Sequence, residues 1–158
     1  MSFKPTAHSA FTLERKFDAP PSLVFQAWAT MEGKKRWFGS GQANEQLREM
    51  DFRVGGKDAL VGTFPSGVTH EFRAQYFDIK PDQRIIYVYE MFLDGVKIST
   101  SLATIDFEPK GKGTRLVVTE QHAFIDGYED KGSREEGTND LLDRLVASFN
   151  PTHRRRGN

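Results

Sequence analysis

Alternating apolar and polar residues predict seven β-strands along most of the chain. In residues 11–17, Phe11, Leu13 and Phe17 alternate with polar side chains, a pattern typical of a strand with one buried face. The same period of two recurs in six more segments bounded by Gly, Pro and Asp turn signals, at residues 46–54, 57–64, 68–79, 84–93, 96–108 and 114–124. Because the connections are short, we predict an antiparallel sheet.

Helical spacing predicts two short helices after the first strand and one long helix at the end of the chain. Prolines 20 and 21 suit a first helical turn, and Thr30 predicts an N-cap for a second helix running towards Trp37. Ser133 and Glu136 form a capping-box pattern before a helix in which Thr138 and apolar residues at 141, 142, 145, 146 and 149 follow helical spacing. Gly137 interrupts this helix, which we interpret as a place where another group approaches closely.

This order of elements predicts an α+β fold with one antiparallel sheet and an amphipathic helix across it. Strands of ten or more residues curl, so a cavity between sheet and helix is expected. We predict a single domain over residues 11–149, with flexible termini at 1–10 and 150–158.

Composition narrows the possible partners. The 158 residues include 22 basic and 22 acidic side chains, so the formal net charge is zero and no nucleic-acid partner is predicted. The absence of cysteine excludes disulfides and thiolate metal sites. No apolar run is long enough to span a membrane and the N-terminus lacks a secretory core, so we predict no membrane insertion and a cytoplasmic location.

Aromatic side chains, 12% of the residues, are the first candidates for a ligand site. Tyr87, Tyr89 and Met91 share one face of a predicted strand, where tyrosine tips on apolar bodies suit a ligand with hydroxyl or carbonyl groups. The alternative is that these rings fill the core or cover the outer face. The same two interpretations apply to the remaining predicted lining residues, Trp28, Trp37, Phe38, Phe52, Phe64, Phe72, Leu141 and Leu145.

Glu120 and His122 are the second candidates. They lie two residues apart on a strand, so their side chains share the face that carries apolar residues. If that face points inward, the pair is able to hydrogen-bond a ligand or act as acid and base; otherwise both groups are solvated. His70 is interpreted as a polar wall residue of the ligand site. No third ligand lies at metal spacing, so we predict no metal. We also predict no cofactor and assign no catalytic residue.

Several motifs together resemble those of one protein family. They are Asp18-Ala19-Pro20-Pro21 with Val24-Phe25-Gln26-Ala27, Arg36-Trp37-Phe38, Asp51-Phe52-Arg53-Val54-Gly55-Gly56, Asp78-Ile79-Lys80-Pro81, Gly113-Thr114-Arg115-Leu116, and Gly137 with Leu141, Leu142 and Leu145. The chain is similar to the family of the activator of heat-shock protein 90 ATPase, within the START-like (Bet v 1-like, SRPBCC) superfamily. Many bacterial members have Gly-Trp where this chain has Gly137-Thr138, which leaves space near the helix start.

The resemblance implies a helix-grip fold, in which a curved seven-stranded sheet surrounds a long C-terminal helix and an apolar cavity. It also implies binding of a small hydrophobic molecule such as a lipid, polyketide or flavonoid-like phenolic, and a stress-related role. Two alternatives remain open. One is a cyclase- or hydrolase-type enzyme that uses Glu120 and His122, and the other is a chaperone-associated module that binds a protein partner.

Overall fold

A computed structural model of the protein describes residues 2–149, so the predicted flexible tail at 150–158, with its three arginines, lies outside the described residues. The elements are β1 (Ala7–Phe17), α1 (Pro21–Ala29), α2 (Met31–Lys35), β2 (Asn44–Met50), β3 (Lys57–Thr63), β4 (Thr69–Lys80), β5 (Arg84–Leu93), β6 (Val96–Lys110), β7 (Gly113–Phe124) and α3 (Ser133–Ser148).

The seven strands form one antiparallel sheet in the order β1-β7-β6-β5-β4-β3-β2. Strands β2 to β7 are joined in sequence, and β1 pairs with β7 from Ala7 opposite Phe124 to Phe17 opposite Thr114. Irregularities in β2, β4 and β6 interrupt the register and increase the local twist of the sheet. This curved sheet, with two short helices after β1 and a C-terminal helix, confirms the predicted α+β helix-grip fold.

Alternation along the strands places the core between the sheet and the helices. Every second residue of β7 is buried on the inner face, as the pattern predicts. The indole N–H of Trp37 donates to the Ala27 carbonyl at 2.9 Å and joins the end of α2 to α1. The Phe25 ring meets Phe107 on β6 at 5.3 Å between centroids, so α1 is packed against the sheet by aromatic contacts.

Two strand boundaries differ from the prediction by four residues each, more than any of the others. β1 begins at Ala7, four residues before the predicted start and inside the segment predicted to be flexible, because its pairing with β7 continues to Phe124. β2 ends at Met50 instead of residue 54, because the next residues form a tight turn. Gly55 has a φ of 86°, and a side chain on Gly56 would lie 2.0 Å from the Asp51 carbonyl oxygen, so this turn requires glycine at both positions.

The start of α3 also differs. The predicted capping box is wrong, because Gly132, with a φ of 81°, precedes the helix and Ser133 is its first residue. Asp130, two residues before this N-cap glycine, satisfies one N–H of the first turn, with Oδ1 accepting the Arg134 backbone N–H at 3.0 Å. The interpretation of Gly137 as a close-approach site is also wrong, since, apart from its chain neighbours and the backbone of its own helix, no described atom lies within 4 Å of where its Cβ would be.

Candidate functional site

A cavity of about 570 Å³ lies between the inner face of the sheet and α3. Its wall includes the loop after α2, inner residues of strands β3 to β7, and one side of α3. Eleven of the predicted ligand-binding residues line it: Trp28, Trp37, Phe38, Phe64, His70, Phe72, Tyr87, Tyr89, Met91, Glu120 and Leu141. The aromatic residues therefore have two roles, since many of them belong to the core and also border the cavity.

Three predicted ligand-binding residues lie outside this wall. The Phe52 ring packs against Phe25 and Tyr76, with centroids 5.8 and 5.0 Å away, on the side of the core that faces α1. Leu145 is fully buried in the core beneath α3. His122 lies behind Glu120, where its ring stacks on Phe124 at 5.5 Å.

The apolar part of the wall is a chain of tilted and edge-to-face aromatic rings. Phe72 is at its centre, 4.9 Å from Phe38 and 5.1 Å from Tyr89 between ring centroids. Trp28 and Trp37 meet at 4.5 Å on the helical side. The Trp28 indole N–H is the one buried side-chain polar atom of residues 2–149 that has no hydrogen-bond partner. These rings present a large, rigid apolar surface to the cavity.

A polar cluster occupies the end of the cavity nearest the start of α3. The Tyr89 hydroxyl donates to Glu120 Oε1 at 2.5 Å and accepts from Arg134 Nη1 at 3.2 Å. Arg134 also donates to the Ser99 and Ser101 hydroxyls at 2.8 and 3.2 Å. The guanidinium of α3 is thus joined to the carboxylate of β7 through one tyrosine hydroxyl.

His122 completes this cluster from behind. Its Nε2 lies 2.8 Å from Glu120 Oε1, and its Nδ1 lies 3.3 Å from the Ser9 hydroxyl on β1. The side chains of Glu120 and His122 are both almost entirely buried, so the interpretation of a solvated pair is wrong. Both ring nitrogens of His122 contact protein groups, and His122 does not border the cavity.

Burial fixes the protonation of the two tyrosines on β5. It raises the pKa of Tyr89, and the negative charge of Glu120 raises it further, although Arg134 opposes this effect. Burial raises the pKa of Tyr87 in the same way. Both phenols are therefore neutral near pH 7, and the Tyr89 hydroxyl is available as a donor to Glu120.

A second buried polar group lies next to the cavity, outside its wall. The Lys34 ammonium on α2 pairs with Asp58 on β3, and the Tyr76 hydroxyl donates to the same carboxylate oxygen at 2.9 Å. Lys34 also lies 4.5 Å from the centroid of the Phe38 ring. Burial lowers the pKa of Lys34, and the charge of Asp58 partly offsets this effect. The cluster holds α2 against the sheet behind the aromatic wall.

Two arginines hold the loop at the mouth of the cavity. Arg144 on α3 donates to the Trp37 and Gly39 carbonyls at 3.3 and 2.6 Å. Arg48 on β2 donates to the Phe38 carbonyl at 2.6 Å. These bonds satisfy carbonyls just after α2 and connect its end to both the last helix and the edge of the sheet.

Sequence reasoning missed Lys34, Arg134 and Arg144, because each has a charge that periodicity assigns to solvent. Only Arg134 gave a usable signal, since a cation in the first turn of a helix opposes the helix dipole and suggests another purpose. Among residues 2–149, no three acidic or histidine side chains lie close enough to hold a metal ion. Within the same residues, no helix has the length and hydropathy required to cross a membrane.

Comparisons with known proteins agree with this geometry. The family model described as "Activator of Hsp90 ATPase homolog 1-like protein" matches residues 18–150. An uncharacterized protein from Rhizobium leguminosarum is 40% identical, with a TM-score of 0.89 over 94% of this chain and 98% of that chain. A protein from Rhizobium loti is 41% identical, with a TM-score of 0.82 over 91% and 99%.

A more distant structure shows that the fold persists at low identity. A protein from Silicibacter pomeroyi from the same family is 20% identical, with a TM-score of 0.69 over 89% of this chain and 97% of that chain. The comparison with curated protein sequences finds no match. The family match spans most of the chain and confirms the resemblance seen in its motifs, and the chain therefore belongs to the family of proteins like the activator of Hsp90 ATPase homolog 1.

Proposed function

We propose that this protein binds a small, mostly apolar molecule in the cavity between the sheet and α3. The observation that carries the proposal is the cavity itself, which is bordered by aromatic rings and has one polar cluster at its end. Binding of hydrophobic ligands is also common in the family to which the chain belongs. Lipids, polyketides and flavonoid-like phenolics are the ligand classes that fit an apolar cavity with a few polar groups.

The driving force for such binding is the removal of apolar surface from water. Each Å² of apolar surface buried contributes roughly 25 cal/mol before the cost of immobilising the ligand. Rigid rings such as Phe72 and Trp37 lose little conformational entropy when a ligand packs on them. Polar groups at one end orient the ligand, so its affinity depends on apolar area and its selectivity on the cluster around Tyr89.

An amide NMR titration with lipids, sterols and planar phenolics tests the proposal. We expect saturable shifts for residues around the cavity, with Trp37, Tyr87 and Leu141 among them, and smaller shifts on the outer face of the sheet. Spectra unchanged across the whole panel would contradict ligand binding and direct attention to protein partners.

A variant that fills the cavity gives a second test of the proposal, and a variant at an exposed position of the same helix is its matched control. Thr138 lies on the cavity side of α3, next to open space, and Thr138→Trp should place an indole inside. We expect this variant to fold and to lose the ligand-induced shifts. Glu135→Trp adds the same side chain at an exposed position of the same helix and should bind as the unmodified protein does.

A further inference from the structure

One oxygen of a buried carboxylate remains unpartnered at the cavity. Glu120 is only 4% exposed, and both of its hydrogen bonds, from Tyr89 and with His122, involve Oε1. Among residues 2–149, Oε2 has no hydrogen-bond partner, yet it is not sealed inside the protein. Because Glu120 borders the cavity, Oε2 offers an acceptor to a ligand.

Arg134 offers donors next to this acceptor. Its guanidinium has five N–H groups, and three of them donate to Tyr89, Ser99 and Ser101. The Nε–H and one Nη2–H have no acceptor among the described residues. Arg134 also borders the cavity and makes no ion pair within residues 2–149, so these donors are available to a ligand acceptor.

The negative charge of the Glu120 carboxylate and the positive charge of the Arg134 guanidinium balance each other. Both contact the Tyr89 hydroxyl, so a single hydroxyl separates the guanidinium from the carboxylate. An anionic ligand would be attracted by Arg134 and repelled by Glu120, and a cationic ligand would meet the reverse arrangement. A neutral group that has both a donor and an acceptor satisfies both residues without bringing another charge out of water.

We propose that the polar end of the ligand is a neutral group with an O–H or N–H donor beside a carbonyl acceptor, which bonds Glu120 Oε2 and Arg134 respectively. This inference rests on the proposed function and adds the head-group chemistry of the ligand. The apolar remainder of the molecule then lies along Phe72 and Leu141, away from the cluster.

A series of ligands with one alkyl chain and different head groups tests this inference. Decanamide has an N–H donor and a carbonyl, whereas methyl decanoate and N,N-dimethyldecanamide have the carbonyl alone, and decanoate is an anion. Dissociation constants come from amide NMR titration of the full chain. We expect decanamide to bind about tenfold more tightly than the other three, the usual effect of one hydrogen bond to a charged group.

Two variants test whether Glu120 binds the donor of the ligand head group and Arg134 its acceptor. In Glu120→Gln, the carboxamide oxygen takes the bonds from Tyr89 and His122 and its N–H₂ faces the cavity, so the preference for decanamide should disappear. Arg134→Gln should weaken decanamide and methyl decanoate alike and preserve their ratio. Glu108→Gln and Arg36→Gln change exposed groups of the same types and should leave the affinities unchanged.

Each outcome has a defined meaning. Equal affinity for decanamide and methyl decanoate, or tighter binding of decanoate, would overturn the head-group inference and leave the proposed function standing. Absence of shifts with all four compounds would overturn the head-group inference, and the panel of lipids, sterols and planar phenolics would then decide the proposed function separately. If a variant does not fold, the comparison of the four compounds on the unmodified protein still decides the question.

Discussion

At the scale of single residues, Lys34 and Asp58 form a buried ion pair. Both side chains are about 95% removed from solvent, and the Tyr76 hydroxyl bonds the same carboxylate. An ion pair in this position offsets the cost of taking two charges out of water, and loss of either partner leaves the other uncompensated.

Asp58→Asn should therefore destabilise the protein by about 3 kcal/mol, because the Lys34 ammonium loses its counter-charge. Urea unfolding followed by circular dichroism measures the change. The double variant Asp58→Asn, Lys34→Met should recover much of the lost stability. A control at the partly exposed Lys97–Glu90 pair, Glu90→Gln, should cost less than about 1 kcal/mol. A double variant no more stable than Asp58→Asn would contradict this account.

His70 should make stability depend on pH. It borders the cavity with its ring 4.4 Å from Phe64, and burial lowers its pKa from the ordinary 6.5, while Asp94 acts in the opposite direction. The folded protein binds this proton less readily than the unfolded chain, so stability should rise as the pH increases towards 6.5. Urea midpoints measured across this range should vary less with pH in His70→Gln. A variant with an unchanged slope would refute the prediction.

A site residue could be predicted from sequence only where a local pattern determines which way its side chain points. Tyr89 and Glu120 could be found because strand alternation gives the face of each side chain regardless of its chemistry. Lys34 and Arg134 could not, because their burial results from partners that lie 24 and 45 residues away in sequence, Asp58 and Tyr89. Local pattern contains no information on such tertiary contacts.

At the scale of elements, α3 closes one side of the cavity, and Asp130 accepts a hydrogen bond from its first turn. Its cavity side includes Gly137, which adds flexibility to the helix without making any close contact. The absence of a side chain there has an energetic cost, because glycine loses more backbone entropy on folding than alanine does.

Gly137→Ala should stabilise the protein by about 1 kcal/mol, since its backbone is helical and a Cβ meets open space. Thermal unfolding should show a midpoint a few degrees higher. Gly56→Ala is the opposite case, because its Cβ would overlap the Asp51 carbonyl, and this variant should be strongly destabilised. A lower midpoint for Gly137→Ala would indicate a contact that the structure does not show.

The elements themselves were predictable from sequence, and their ends were less so. All seven strands and three helices were predicted near their observed positions, and the periodicity is clearest where one face is buried in the core, as in β7. Phe52 continued the alternation of β2 beyond its end, yet the chain turns at Gly55 and Gly56. Here turn geometry prevailed over alternation, and a pattern of apolar residues does not show where hydrogen bonding between strands stops.

At the scale of the whole molecule, a ligand that fills the cavity should stabilise the folded state. A compound present at a hundredfold excess over its dissociation constant adds about 2.7 kcal/mol to the free energy of unfolding. Thermal unfolding should therefore show a midpoint that rises with ligand concentration. Thr138→Trp should show no such rise, and an equal rise in this variant would mean that the compound binds elsewhere.

The pairing of β1 with β7 has a consequence for the order in which the protein folds. Strands β2 to β7 form consecutive hairpins. By contrast, β1 pairs with a strand about a hundred residues away in sequence, as in the Thr12 contact with Thr119. Closing so long a loop has a high entropic cost and slows folding. During synthesis, β1 therefore emerges well before its partner β7, and the cavity is complete only when β7 and α3 have left the ribosomal exit tunnel.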